Sequence, residues 1–327
     1  MRNAVICGTG SYVPDEILTN SDLEKSAPTN KDWVENVLGI YERRRISNGE
    51  VTSDLAAKAA EKALEMAEMT AEEIDLILVA TVTPDRMVPS VSTIIQRKIR
   101  AKNAAAYDIN AACAGFMFAL ITAEQFIKTG YFNKVLVIGA DSMSTMLDYK
   151  DRGCVFFGDG AGAIVLKSSE TRRGIISTYF ATDGESKDHV TLFAGNAEHP
   201  ISYDLIDRRK HYVRMQGKEV GITARRIIPY AINKVLEKAQ MSSHEIDFLI
   251  PHQPNLKLLR DCAKEVNISE EKVIITLDKY ANASSANIPL ALDHINRKKG
   301  LNDGDMLAFV TIGAGWSWGS AILEWGV

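Results

Sequence analysis

An internal repeat constrains this chain more than any other feature. The stretch EKALEMAEMTAEEIDLIL (61–78) aligns without gaps with NKVLEKAQMSSHEIDFLI (233–250). Lys62 falls on Lys234, Leu64 on Leu236, Glu65 on Glu237, Ala67 on Ala239 and Met69 on Met241. Glu73, Ile74 and Asp75 then fall on Glu245, Ile246 and Asp247, at one offset that spans about half of the 327 residues. The physical reading is one helix–turn–strand unit used twice. Ala60, Ala63, Leu64 and Ala67 follow the 3.6-residue helical period. The run IDLILVATV that follows is apolar throughout, as suits a strand covered on both faces.

Both halves continue alike. Each has a second strand (104–110; 272–278), a turn, a helix (113–129; 284–297) and a further strand (134–140; 305–313). Each closes on a Gly-rich turn and a last strand (157–166; 316–325). Strands alternating with helices predict an α/β layered fold with largely parallel sheets, built from two halves about a pseudo-twofold axis. The halves are expected at 1–170 and 171–327, joined by a long polar linker at 183–217. A connection of that length is usually functional or mobile.

With 46% hydrophobic and 24% charged residues, the chain can bury a sizeable core. A net charge of −4 argues against nucleic acid or membrane as the principal partner. No apolar run reaches the ~18 residues of a membrane span, and the apolar part of MRNAVICGTG is too short for a signal peptide. The four cysteines, at 7, 113, 154 and 262, form no C-x-x-C, which argues against zinc and against a disulfide scaffold and suits a reducing cytoplasm. GTGSYVP (8–14) lacks the third glycine of a dinucleotide fingerprint, because Val13 stands there, and reads as a tight turn. GDGAGA (158–163) reads as a packing turn, and no G-x-S-x-G marks a serine hydrolase.

The polar chemistry collects at equivalent turns. Cys113 lies where strand 104–110 gives way to a helix, so its thiol pKa should be lowered by the helix N-terminus. The matching turn of the second half, KYANASSANIP, holds Asn282, and FLIPHQPN puts His252 at a strand's carboxyl end. Open α/β sheets place ligands at such ends. The pseudo-twofold can therefore bring Cys113, His252 and Asn282 together, an arrangement suited to nucleophilic catalysis. Cys7, Cys154 and Cys262 lack polar company and read as core residues.

INAACAGF, PHQPN, NASSANIP and IGAGWSWGSAIL resemble the active-site motifs of the β-ketoacyl-acyl carrier protein synthase III family of the thiolase superfamily. GTGSYVPDEILTNSDLE, W-x5-GIYERR and FGDGAGAIVL extend the resemblance over essentially the whole chain. It implies a thiolase-like, five-layered αβαβα sandwich, a homodimer, and a decarboxylative Claisen condensation of an acyl-CoA primer with malonyl-acyl carrier protein. In that reading Cys113 carries the acyl group, while His252 and Asn282 donate hydrogen bonds to the enolate. The N–H groups of Cys113 and Ala314 form the oxyanion hole for acylation, with Gly313 and Gly315 permitting close backbone approach. The CoA adenine would sit between Trp33 and Arg152, and Asn255 near the pantetheine arm. Val37 stands where the family has an arginine, so one phosphate contact is lost.

Lys257, Arg260 and Lys264 share one helix face and would dock the acidic carrier protein, with Arg225 and Arg226 nearby. Val88, in MVP, matches a residue that closes the acyl pocket from the dimer partner. Being smaller than the phenylalanine of many short-primer members, it should admit longer or branched primers. The resemblance implies no cofactor and no metal. Rival readings are a secondary-metabolite condensing enzyme or acyltransferase with a different acceptor, a degradative thiolase, and a non-catalytic partner. A degradative thiolase needs a second cysteine that IGAGWSWG lacks, and a non-catalytic partner would have lost the nucleophile.

Overall fold

The two copies of the repeat fold alike down to single hydrogen bonds. In the computed structural model, helices α1 (Thr52–Met66) and α4 (Gly217–Ala239) both end near left-handed residues, Glu68 (φ 53°) and Gln240 (φ 57°). Each copy then makes one 3₁₀ turn. Thr70 N–H donates to Glu73 at 2.9 Å, and Ser242 N–H to Glu245 at 2.7 Å. Asp75 accepts from Lys134 N–H at 2.9 Å, and Asp247 from Met306 N–H at 2.8 Å, each pinning the start of the neighbouring parallel strand. The matching glutamates and aspartates are thus the residues whose side chains close the local geometry.

The structure describes residues 2–186 and 188–326; Met1, Val327 and Lys187 of the expected linker lie outside the described residues. The first sheet holds β1 (Asn3–Tyr12), β2 (Leu76–Ala80), β3 (Ala105–Ile109), β4 (Lys134–Ser142) and β5 (Asp159–Ser169), in the order β1-β5-β4-β2-β3. The second holds β6 (Gly174–Thr182), β7 (Phe248–Pro251), β8 (Met306–Gly313) and β9 (Ser317–Glu324), in the order β7-β8-β9-β6. Three further helices matter to the layering: α2 (Val91–Lys98), α3 (Gly115–Lys128) and α6 (Asn287–Lys299). Residues of α3 and α6, such as Phe116, Leu120, Ile288 and Leu292, share one core with Leu76 and Val137 of the first sheet and Leu307 and Phe309 of the second. Helices α1 and α2 cover the outer face of the first sheet. Helix α4 and a further helix, α5 (Leu256–Glu265), cover that of the second. The result is the five-layered αβαβα order, with α3 and α6 in the middle layer.

Three expectations are corrected. The sheets are mixed: β2 pairs parallel with β3 and β4, and β7 with β8, but β5 runs antiparallel to β1 and β4, and β9 to β8 and β6. Segment 272–278 is not a strand. It makes a single bridge, Val273 to Leu249, and then turns into a short helix, because the Thr276 and Leu277 N–H groups donate to the buried Gln253 side chain at 3.0 and 3.2 Å. GTGSYVP and GDGAGA lie largely within β1 and β5 rather than in turns. Their glycines make room for helices: a Cβ on Gly10 would sit 2.3 Å from the Ala59 carbonyl oxygen of α1, and one on Gly162 2.5 Å from the Leu290 nitrogen of α6.

The 183–217 connection carries its own structure: a ribbon of Val190–Leu192 with Val213–Met215 and a short helix, Tyr203–Asp207. Asp148, almost fully buried, accepts hydrogen bonds from Arg209 and Arg214 and pins this insert to the first half. No helix among the described residues is long and apolar enough to cross a membrane.

Candidate active site

Cys113 sits on a tight connection between β3 and α3. Ala112, just before it, takes a left-handed φ of 48°, a strained choice for a residue with a side chain. Helix α3 begins at Gly115, two residues later than expected. The second half holds this turn from below. Thr311 of β8 donates its hydroxyl to the Cys113 carbonyl at 3.0 Å. Two residues on, the β8 backbone passes so close that a Cβ on Gly313 would lie 2.9 Å from the Cys113 nitrogen and 2.7 Å from that of Ala114. Only glycine fits there. The N–H groups of Cys113 and Ala314 have no hydrogen-bond partner among the described residues.

The same strand positions His252. Its backbone N–H donates to Val310, the neighbour of Thr311, at 2.8 Å. Asn282 is fixed by its backbone to the first half: its N–H donates to Phe156 at 2.9 Å, and its carbonyl accepts from Gly158 at 3.1 Å. Flanking residues Ala281 and Ser284 are both left-handed, at φ 53°. The Asn282 side-chain oxygen accepts from the Ser284 N–H at 2.8 Å and from Asn287 Nδ2 at 2.7 Å. Asn287 Nδ2 also lies 2.9 Å from His252 Nδ1. Ser284 in turn faces the Cys113 thiol. Cys113, Ser284, Asn282, Asn287 and His252 therefore form one continuous cluster drawn from both halves.

The thiol is a correction to the expectation. Burial pushes the Cys113 pKa up to about 11, with the nearby Asp141 charge adding to the rise and Ser284 opposing it. Helix α3 begins at Gly115, two residues past the thiol. Burial also pushes His252 down to about 4, so its imidazole is neutral at pH 7. The remaining cysteines are free and lie in or against the apolar core.

Ser284 and Asn287 of the cluster, and Asp141 beneath it, carry no separate signal in the sequence. Asn287 was visible only as a letter of NASSANIP. Asp141, next to last in β4, is fully buried. It accepts from Thr81, Val82 and Thr83 at 2.7 to 3.1 Å, and from the N–H and hydroxyl of Ser285 at 3.0 and 2.6 Å. It thereby ties the floor of the first sheet to the loop bearing Asn282. A buried carboxylate with a full set of donors is a spatial fact that no local spacing announces.

Outside the cluster, the other candidate positions fall as follows. The Arg152 guanidinium stacks on Trp33, 3.6 Å from the ring centroid, so the two face each other directly. Val37 is exposed nearby. Asn255 caps α5, its side chain accepting from the Leu258 N–H at 2.9 Å. On α5, Lys257 pairs with Asp261 at 3.1 Å and Arg260 pairs with Glu270, while Arg225 also reaches Asp261. Lys264 and Arg226 are exposed and have no ion-pair partner among the described residues. Three of these five basic side chains are thus neutralised within the molecule. Val88 is 83% exposed, on the surface and apart from this chain's own cluster. Among the described residues no group of three His, Cys, Asp or Glu is placed to hold a metal ion.

Two family models match the chain: 3-oxoacyl-[acyl-carrier-protein (ACP)] synthase III over residues 107–184, and its C-terminal counterpart over 236–325. The chain is 45% identical over 326 residues to the β-ketoacyl-[acyl-carrier-protein] synthase III of Clostridium acetobutylicum, covering 99% of each. It is 42% identical over 323 residues to the enzyme of the same name from Caldanaerobacter subterraneus, covering 98% of each. Among solved structures, 3-oxoacyl-[acyl-carrier-protein] synthase III from Aquifex aeolicus superposes with a TM-score of 0.91 at 38% identity, over 98% of this chain and 100% of that one.

Proposed function

The chain belongs to the 3-oxoacyl-[acyl-carrier-protein] synthase III family, and from that premise we propose how its residues divide the work. It is an acyltransferase that condenses an acyl-CoA primer with malonyl-acyl carrier protein, the first carbon–carbon bond of fatty acid synthesis. A same-fold synthase with a different acceptor is not favoured.

In the first stage the Cys113 sulfur attacks the acyl-CoA carbonyl. The C–S bond to CoA breaks, a C–S bond to Cys113 forms, and the thiol proton ends on the CoA sulfur. The Cys113 and Ala314 N–H groups are unpaired among the described residues, and Gly313 lets the β8 backbone pass close to the Cys113 nitrogen, which supports their role as the oxyanion hole for that carbonyl. In the second stage malonyl-acyl carrier protein loses carbon dioxide, leaving an enolate. The enolate carbon attacks the acyl-cysteine, a C–C bond forms, and the Cys113 thiolate leaves and takes up a proton. His252 and Asn282 stabilise the enolate oxygen. A neutral imidazole suits this role, because it donates one N–H without an ion having to be buried.

One observation carries the assignment: strand β8 holds the Cys113 carbonyl through Thr311 and the His252 backbone through its neighbour Val310, so nucleophile and donor are braced by adjacent residues. The Trp33–Arg152 stack would have to open to admit the adenine of CoA, and Asn255, with its oxygen committed to the α5 cap, would offer only its amide nitrogen to the pantetheine arm. Lys257, Arg260 and Lys264 are the carrier-protein docking candidates, Lys264 with the least internal competition. Halves meeting near residue 170, a homodimer, a cytoplasmic setting and a reaction without cofactor complete the proposal.

The test is incubation with a panel of acyl-CoA thioesters followed by mass spectrometry. A single acyl adduct on Cys113 is expected, with none in Cys113→Ala. Labelling that persists in that variant would overturn the nucleophile assignment.

A further inference from the structure

We propose that Asn287 is a positioning residue that sets both enolate donors of the condensation step, through one side-chain nitrogen. The inference deepens the reading above and rests on it. It begins from a backbone group whose chemistry is not in question. The Ala283 N–H can only donate, and it points at Asn287 Oδ1 at 2.8 Å. That contact fixes the Asn287 amide: its other terminus is the NH₂, a pure donor.

This NH₂ reaches His252 Nδ1 at 2.9 Å and Asn282 Oδ1 at 2.7 Å. With a donor in front of it, Nδ1 must be the bare, accepting nitrogen. The imidazole proton therefore sits on Nε2, and His252 is a donor there. Asn282 follows by the same logic. Its Oδ1 takes two hydrogens, from Asn287 and from the Ser284 N–H at 2.8 Å, so the opposite terminus is its NH₂. Neither His252 Nε2 nor Asn282 Nδ2 has a hydrogen-bond partner among the described residues, and neither is sealed away with the orphaned polar atoms of the interior.

The arrangement has a chemical consequence. A His252 protonated on Nε2 cannot act there as the base for Cys113, so the first stage has no use for the bond from Asn287. The second stage depends on it twice. Asn287 is 3% exposed and touches neither thioester, so its effect is transmitted through its two partners.

Asn287→Asp is the informative variant. It keeps the shape and the acceptor for Ala283, but replaces the donor with an oxygen facing His252 Nδ1 and Asn282 Oδ1. His252 then places its proton on Nδ1, and the Nε2 donor is lost. Losing one oxyanion donor costs about 10²- to 10³-fold in rate. We expect condensation with malonyl-acyl carrier protein to fall by at least about 10²-fold, while acylation of Cys113 stays within about threefold. A folded Asn287→Asp enzyme that condenses within about threefold of the parent would overturn the proposal.

The second measurement needs no variant to stay folded at this position. ¹⁵N spectra of histidine-labelled parent enzyme at pH 7, with His252 identified by its absence in His252→Gln, should show a proton on Nε2 and none on Nδ1. A proton on Nδ1 would overturn the proposal whatever the kinetics. If the parent shows the expected tautomer but no acyl adduct on Cys113, the positioning stands and the reading of the reaction falls, so the two failures are distinguishable.

Discussion

His252 is held where water cannot solvate an imidazolium, and Asp159 where water cannot solvate a carboxylate. Burial lowers the first from 6.5 to about 4 and raises the second from 3.8 to about 6, against hydrogen bonds to Asp159 from Ser144 and Ile46 that favour the charge. The linkage signs are opposite. As pH falls from 6.5 toward 4, unfolded chains protonate His252 and the folded one does not, so its contribution to stability is lost. Over the window from about 6 down to 4 the folded state takes up a proton on Asp159 ahead of the unfolded chain, so stability is gained, and this gain is lost again as pH rises through 6. Between pH 7.5 and 5 the two amount to roughly 2 kcal/mol of loss and about 1 kcal/mol of gain. In urea unfolding, His252→Gln should therefore look better against the parent at pH 5 than at pH 7.5, and Asp159→Asn worse. Parallel shifts for both variants would show that neither group is perturbed as argued.

Among the elements, those with local causes were legible in the sequence. The two matched helix ends, the capping boxes and the aspartates that follow them are encoded within a few residues, and the repeat displays them twice. The places of Cys113 and His252 follow from strand ends, but that of Asn282 does not, because 272–278 is not a strand and backbone bonds to Phe156 and Gly158 fix Asn282 instead. What escaped notice was decided at a distance. Segment 272–278 has a strand's composition, but Gln253 takes its N–H groups. The glycines of β1 and β5 imitate turns because the helices that need their space lie elsewhere in the chain. The thiol pKa of Cys113 is raised mainly by burial, opposed by Ser284 and reinforced by Asp141, none of them visible from its own turn. The 183–217 insert belongs with these. Its long polar sequence suggests a loose linker, yet the Arg209 and Arg214 side chains meet a single buried carboxylate, Asp148, whose pKa they hold well below the usual range. Asp148→Asn should free the insert, since two cations then share a neutral group. Protease cleavage and hydrogen exchange within 188–215 should rise by tenfold or more, about 1.4 kcal/mol in local opening, with little change in the sheets. Unchanged protection there would mean the ribbon and its apolar contacts hold the insert without the clamp.

At the scale of the whole molecule, the single chain leaves one region incomplete. Strand β3 is an edge of the first sheet, with Tyr107 38% exposed, and the loop leading to α2 exposes Met87 at 84% and Val88 at 83%. An open strand edge beside large apolar side chains is costly in water unless something covers it. A second copy pairing along β3 would cover both, and in the proposed dimer it would bring each Val88 toward the other subunit's acyl pocket. The size of that side chain then sets pocket depth across the interface. Val88→Phe adds bulk where the pocket ends, and a methylene more or less in an apolar pocket shifts discrimination by roughly 10- to 200-fold. We expect the variant to keep acetyl-CoA as a primer while losing at least about tenfold in kcat/KM for longer or branched acyl-CoA. It should remain dimeric in sedimentation, since a phenylalanine adds apolar area to the covered face. A primer panel that does not respond to the substitution would remove Val88 from the pocket. Loss of every primer together with a shift to monomer would instead place it in the interface alone.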